Sequence, residues 1–194
     1  MRYAEIYRET SESRVQVVLD IDGGTKRDIS TGIGFFDHML NLFAFRAEFD
    51  IGINAEGDLV VDDHHTVEDV GIVLGQAFRE AMKNSEPTER YGNFAAPMDE
   101  ALVLVALDIS GRGALYYDVE FSRERLGGLS TENIQEFFKA FATHSGITLH
   151  IRKLAGTNEH HICEAIFKGV GLALKQALTK SDRPGSTSTK GKLD

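Results

Sequence analysis

Hydrophobic residues recur along the chain with two different periods. Residues 14–21 and 101–109 run or alternate apolar, are rich in Val, Leu and Ile, and both stop near a glycine, which predicts strands. Residues 25–30 and 114–121 follow as expected hairpin partners of those strands. At 35–47 and 131–143 the spacing turns helical, through Phe36, Leu40 and Phe43 in one segment and Ile134, Phe138 and Phe141 in the other. Ser130, with Glu132 in the first turn, suits the N-cap of the second helix. Residues 48–55 and 147–151 return to short strands. Long helices are expected over 64–82 and 160–178, with apolar faces through Val67, Val70, Leu74 and Phe78, and through Ile162, Ile166, Val170 and Leu174.

The order of strands, helix, strand, helix thus occurs twice, and the residues themselves repeat. Val15–Gly23 resembles Val103–Gly111 at an offset of 88, and His64-His65-Thr66-Val67-Glu68 resembles His160-His161-Ile162-Cys163-Glu164 at an offset of 96. Gly75 then meets Gly171. The helical stretch around His38 falls opposite Ile134–Phe138, so that Glu136 takes roughly the place of His38. The predicted fold class is α+β, a two-layer α/β sandwich built by tandem duplication, with one sheet and two helices per repeat. Residues 1–84 form the first repeat, 85–180 the second, and 181–194 a tail without apolar periodicity. That tail reads as a frayed terminus or as a phosphate-binding flap rich in Ser, Thr and Lys.

Charge and composition narrow the partners. A net charge of −9 argues against nucleic acid or an anionic membrane as the partner. No apolar run is long enough to span a bilayer, and the first residues lack the apolar core of a signal peptide, so a cytoplasmic protein is expected. Cys163 is the only cysteine, which excludes an intrachain disulfide and a thiolate-rich zinc site.

The chemistry lies in the histidines. Within each HHxxE motif the first histidine and the glutamate, His64 with Glu68 and His160 with Glu164, stand four apart on one helix face and suit a shared ion. His65 and His161 point about 100° away and suit a different one. The duplicated pattern suits two metal ions in related environments, each fed by both repeats. Imidazole and carboxylate without thiolate favour Mn, Fe, Zn or Ni. Polar residues collecting at helix starts would explain one motif, but not the same spacing in a second. His38 and Glu136 extend the ligand set through the repeat, whereas His144 and His150 have no repeat partner and read as structural.

STGIGFFDHML (30–40), DDHHTVEDVGIVLGQA (62–77), RYGNFAAPMDEAL (90–102), LDISGR (107–112), GITLHIRKLAGTNEHHICEAIFK (146–168) and the STKG near the end resemble the imidazoleglycerol-phosphate dehydratase family over essentially the whole chain. The resemblance implies dehydration of imidazole glycerol phosphate to imidazole acetol phosphate in histidine biosynthesis. It also implies a duplicated fold and a 24-subunit homo-oligomer with two Mn2+ per active site at subunit interfaces. Implied metal ligands are His38, His64, His65, Glu68, Glu136, His160, His161 and Glu164. Implied substrate contacts are Glu12, Arg90, Arg112, Ser188, Thr189 and Lys190. Three positions depart from the commoner pattern. Glu136 stands for a histidine, which shifts the site toward harder ions. Leu42 stands for a glutamine, and Thr189 for a serine.

On this resemblance the expected mechanism holds the substrate ring as an imidazolate bridging two Mn ions, with Glu12 moving protons and Arg90, Arg112 and Lys190 holding the phosphate. Two other readings are weaker. Asp20 and Asp22 approach a phosphatase DxDGT motif, but an extra glycine breaks it, leaving them as strand-end and turn residues. A metal-storage or scaffold protein would use the HH motifs yet leave the arginines idle. Cys163, inside the second motif, reads as a small buried side chain.

Overall fold

A computed structural model describes residues 1–181. The first half runs β1 (Tyr3–Glu9), β2 (Ser13–Asp20), β3 (Arg27–Ser30), α1 (Gly34–Ala47), β4 (Asp50–Gly57) and α2 (His64–Met82). The second runs β5 (Tyr91–Met98), β6 (Ala101–Asp108), β7 (Ala114–Asp118), the short β8 (Arg125–Leu126) and β9 (Leu129–Ser130), α3 (Thr131–Ser145), β10 (Thr148–Ala155) and α4 (Glu159–Ala177). One sheet has the order β1-β2-β4-β3 and the other β5-β6-β10-β7. In both, the first three strands pair antiparallel and the last lies parallel to its neighbour. The expected α+β class holds, with both sheets mixed. Among the described residues no helix is long and apolar enough to cross a membrane.

Alternation builds each sheet and periodicity covers it. Val15, Val17 and Leu19 on β2, with Ile51 and Ile53 on β4, turn inward and are buried, and Val103, Val105 and Leu107 do the same on β6. Helix α2 packs on β1 and β2, and α4 packs on β5 and β6. The helices then pair across the halves, α1 with α4 and α2 with α3. Between them Phe36 meets Phe137 edge-on at 5.2 Å, Phe137 stacks on Phe167 at 5.6 Å, and Phe141 contacts Phe43 and Phe78 at 6.1 and 6.0 Å. Each such ring contributes about 1.5–3 kcal/mol by burial. A side-chain cluster on either helix pair therefore draws on both halves of the chain.

Three expectations need correction. Residues 25–30 and 114–121 do not return as hairpin partners: β3 and β7 sit at the far edge, parallel to β4 and β10. Parallel neighbours require a crossover, and α1 and α3 supply it. The Asp50 carboxylate accepts from the amides of Gly24, Thr25 and Lys26, holding the turn beside β4 instead of β2. The edge strands β1 and β5 escaped the hydrophobic pattern because their outward faces are polar or broken, with Gly92 and Pro97 inside β5. Ser130 does precede α3, but its hydroxyl donates to Asp63 (2.6 Å) and does not cap the helix.

Candidate metal centre

Helix α4 begins at an N-cap whose side chain accepts the amides of His160 and His161, and that residue is Asn158. The cap fixes the first turn, so His160 and Glu164 leave it on one face, toward α1. His38 projects from α1 to meet them. Its Nε2 lies 3.2 Å from Glu164 Oε1, and His160 Nε2 lies 3.0 Å from the same oxygen. Ligand atoms of His38, His160 and Glu164 all fall within 4.8 Å of one another. The other oxygen of Glu164 accepts Lys168 Nζ at 2.5 Å. Burial opposes ionisation of Glu164, yet hydrogen bonds from Lys168, His38 and His160 outweigh it and lower its pKa to about 2. Two imidazoles and an ionised carboxylate fit a divalent first-row cation. Phe35 packs edge-on against His160 at 5.2 Å and walls the site on one side.

The same faces meet on the other helix pair. His64 on α2 reaches α3, where its Nδ1 lies 3.0 Å from Asn133 Oδ1. One turn along α3, Glu136 accepts Lys139 Nζ at 3.0 Å, and that hydrogen bond, then the Glu136 charge and to a lesser degree that of Glu68, raises the Lys139 pKa. His64, Glu68 and Glu136 thus line the α2–α3 contact as His160, Glu164 and His38 line the α1–α4 contact, without closing to the same compact triad.

The second histidine of each motif turns away, as its position on the helix requires. His65 Nδ1 lies 3.0 Å from Asp58 Oδ2, and His161 Nδ1 lies 2.8 Å from Glu100 Oε2. Hydrogen bonding to Asp58 and to Glu100 raises the pKa of His65 and of His161. The bond from His161, with the Asn158 amide, lowers the Glu100 pKa to about 2. Each carboxylate fixes one ring nitrogen, the arrangement that orients metal-binding histidines, and leaves Nε2 near an exposed hairpin-tip acid, 3.8 Å from Glu12 Oε2 for His65 and 3.6 Å from Asp99 Oδ2 for His161. Asp58 and Asn133 lie outside the quoted segments, Glu100 lies within RYGNFAAPMDEAL with no role assigned, and sequence reading missed all three. A carboxylate beside each HH motif was the one available signal, and it does not say which acid reaches back.

Glu12 lies at the tip of the β1–β2 hairpin, half exposed, with its Oε2 3.8 Å from His65 Nε2. Arg90 and Arg112 lie elsewhere. Arg90 is buried with φ 69°, its amide donating to the Ala177 carbonyl at the end of α4 and its guanidinium paired with Asp108 at 2.5 and 2.9 Å. Arg112 follows β6, its carbonyl accepting Thr148 Oγ1 at 2.9 Å from the start of β10. Arg90 thus stands at the end of α4 opposite His160, about 26 Å away at 1.5 Å per residue, and Arg112 lies at the same end of the sheet, where Thr148 opens β10 opposite Asp108. Ser188, Thr189 and Lys190 lie outside the described residues. His150 stacks on Tyr116 at 4.4 Å, Asp22 pairs with Arg2 at 2.6 Å, and Cys163 is buried, with burial pushing its thiol pKa up.

Comparison with known proteins gives a consistent result. The family model described as Imidazoleglycerol-phosphate dehydratase matches residues 31–174. Relatives bearing that name include one from Caldanaerobacter subterraneus subsp. tengcongensis, 56% identical over 194 residues and 100% of both chains. Another, from Acetivibrio thermocellus, is 54% identical over 193 residues and 99% of both chains. Among solved structures, the enzyme of that name from Staphylococcus aureus subsp. aureus N315 superposes with a TM-score of 0.84 at 39% identity, covering 92% of this chain and 99% of that one. The one from Pyrococcus furiosus also gives 0.84, at 41% identity, covering 97% and 100%.

Proposed function

The chain belongs to the imidazoleglycerol-phosphate dehydratase family and is a hydro-lyase, and from that premise we propose that it dehydrates imidazole glycerol phosphate to imidazole acetol phosphate in histidine biosynthesis. The compact His38, His160 and Glu164 cluster carries this reading. It pairs with a second ligand group of His64, Glu68 and Glu136, while His65 and His161 present their Nε2 atoms to complete the sets. Two Mn2+ per active site would be held by these eight residues, and when bound they supply positive charge that stabilises the substrate's ring as an imidazolate.

The protein's own groups handle protons and the phosphate. Dehydration breaks one carbon–oxygen bond and one bond from the adjacent carbon to hydrogen, releases water, and leaves an enol that relaxes to the ketone. Glu12 moves those protons in this reading, which is supported by its carboxylate standing beside His65 without serving as that residue's orienting partner. Arg90, Arg112, Ser188, Thr189 and Lys190 hold the phosphate. Since α4 separates both arginines from His160 within one chain, the complete site takes its metal and phosphate groups from different copies. That supports a homo-oligomer with metals at subunit interfaces, the 24-mer of the family. The matching strand orders and pairing senses of the two sheets support an origin by tandem duplication, with the halves at 1–84 and 85–180 and a tail from 181.

The test is turnover of imidazole glycerol phosphate by the purified, metal-analysed protein. Turnover should require a divalent cation and end on chelation. Glu12→Gln should keep its metal and lose about 100-fold or more in kcat, the scale of a general acid–base contribution. Wild-type turnover in that variant would remove Glu12 from the mechanism.

A further inference from the structure

The hairpin that carries Glu12 is fastened to α2 by a buried polar network. Asp69, one turn beyond His65, accepts the hydroxyl of Ser13 at the start of β2 and lies 2.7 Å from Arg8 Nη1 on β1. Ser13 and Asp69 are 5% and 6% exposed, so water contributes little to their solvation. Between them the turn is closed by Thr10 Oγ1, which accepts the amides of Glu12 (3.1 Å) and Ser13 (3.0 Å). On its other side the Glu12 carbonyl accepts the Asp58 amide at 3.0 Å, and Asp58 is the residue that orients His65. The Glu12 turn is thus tied to α2 through Ser13 and to the residue that orients His65 through its own carbonyl.

The second half shows what the same position looks like without this network. Strands β5 and β6 pair in the register of β1 and β2, with Ala96 opposite Val103 as Arg8 is opposite Val15. The positions matching Arg8, Ser13 and Asp69 are Ala96, Ala101 and Ala165, all buried. Two acids stand at the hairpin tip: Glu100 is committed to His161 Nδ1 and to the Asn158 amide at 2.7 Å, and Asp99, at the position of Ser11 and 71% exposed, comes within 3.6 Å of His161 Nε2 with no buried network behind it. In the first half Asp58 takes over that histidine, and the Glu12 carboxylate faces His65 Nε2 instead.

Packing alone does not account for the difference. A buried carboxylate and hydroxyl, with a guanidinium one-third exposed beside them, carry a desolvation cost, and well-packed apolar residues often serve stability as well or better. Three alanines do so in the second half. We propose that Asp69, with Ser13 and Arg8, is a positioning network for Glu12, holding its carboxylate at a fixed distance from His65 Nε2 so that proton transfer occurs from one geometry. Asp69 does not touch the substrate; it acts through Glu12. The inference rests on the reading of Glu12 as the proton-transfer residue.

The test copies the second half's solution into the first. A variant carrying Arg8→Ala, Ser13→Ala and Asp69→Ala should retain its metal and its KM, while kcat falls about 10- to 100-fold, the scale of an ångström-level misplacement. Hydrogen exchange at the Glu12 and Ser13 amides should accelerate. In a Glu12→Gln background the same three changes should cost less than about 2-fold further, because residues acting through one group are not additive. Ser13→Ala alone should show the same pattern, and Ser13→Thr, which keeps the hydroxyl, should rescue it; this pair carries the test if the triple variant does not fold. Wild-type kcat in the folded variants, or losses fully additive with that of Glu12→Gln, overturns the positioning role while leaving Glu12 in place. Full turnover by Glu12→Gln itself overturns the reading of Glu12 and the network's role together.

Discussion

Asp50 shows how one carboxylate redirects a chain. Its Oδ1 accepts the amides of Gly24, Thr25 and Lys26 at 2.8, 2.7 and 2.8 Å. These bonds, Lys26 and Gly24 foremost, hold its carboxyl below its ordinary pKa. With the folded value below the unfolded one, the stabilisation is fully present above the unfolded carboxylate range, about pH 3.9, and is lost as pH falls through the folded value. Asp50→Asn should therefore lower Tm at neutral pH and converge with the wild type as the medium is acidified, which thermal melts from neutral to acid pH would read. A constant Tm difference across that range would show that the Asp50 charge plays no part. Residues of this kind define what was legible. The HHxxE motifs, with His38 and Glu136 found through the repeat, stood in the sequence because helical spacing places them. Asp58, Glu100, Asn133 and Asp69 did not, since their partners are 7, 61, 69 and 56 residues away and only folding brings them together.

Close contact between helices is what assembles the histidine cluster. Gly171 lies where α4 crosses α1, and a Cβ there would come within 2.5 Å of the Phe43 carbonyl oxygen and 3.0 Å of Arg46 Cβ. Gly75 holds the matching place on α2, where an added Cβ would come within 2.8 Å of the Phe141 carbonyl oxygen of α3. Glycine inside a helix costs about 1 kcal/mol against alanine, so close approach must compensate. Gly171→Ala should destabilise the fold by about 1–3 kcal/mol as overpacking does. It should also weaken Mn2+ binding, because pushing α4 from α1 separates His38 from His160 and Glu164. Denaturant melts with metal titration separate the two effects, and unaltered Mn2+ affinity in a destabilised variant would show that the cluster tolerates the shift. Both glycines were visible as repeat partners, but their function depends on which helices pair. The span of α2 was read directly because its apolar stripe is continuous. The places of β3 and β7 were not, because a hairpin and a crossover begin with the same short polar-apolar strand, and the choice rests on Asp50 and on what α1 covers.

At the scale of the whole molecule the decisive distance is the length of α4. Arg90 is anchored at its C-terminal end and Arg112 lies near it beyond β6, while His160 and Glu164 stand at its N-terminal end. A phosphorylated imidazole is far shorter than the roughly 26 Å between them, so on the proposed roles the phosphate and the ring of one molecule would be held by different chains. If the site is shared between copies, defects on opposite sides of it should complement. On the proposed roles Glu164→Gln would disable a metal cluster and Arg112→Ala a phosphate contact, and each assembled alone should turn over poorly. Dissociated, mixed in equal amounts and reassembled, they should recover about one quarter of wild-type turnover, because random assortment in a symmetric oligomer gives that fraction of sites an intact residue from each side. Mixtures no more active than their parents would place the metal and phosphate groups of each site in a single chain, and would require the two ends of α4 to be brought together by a rearrangement of the fold.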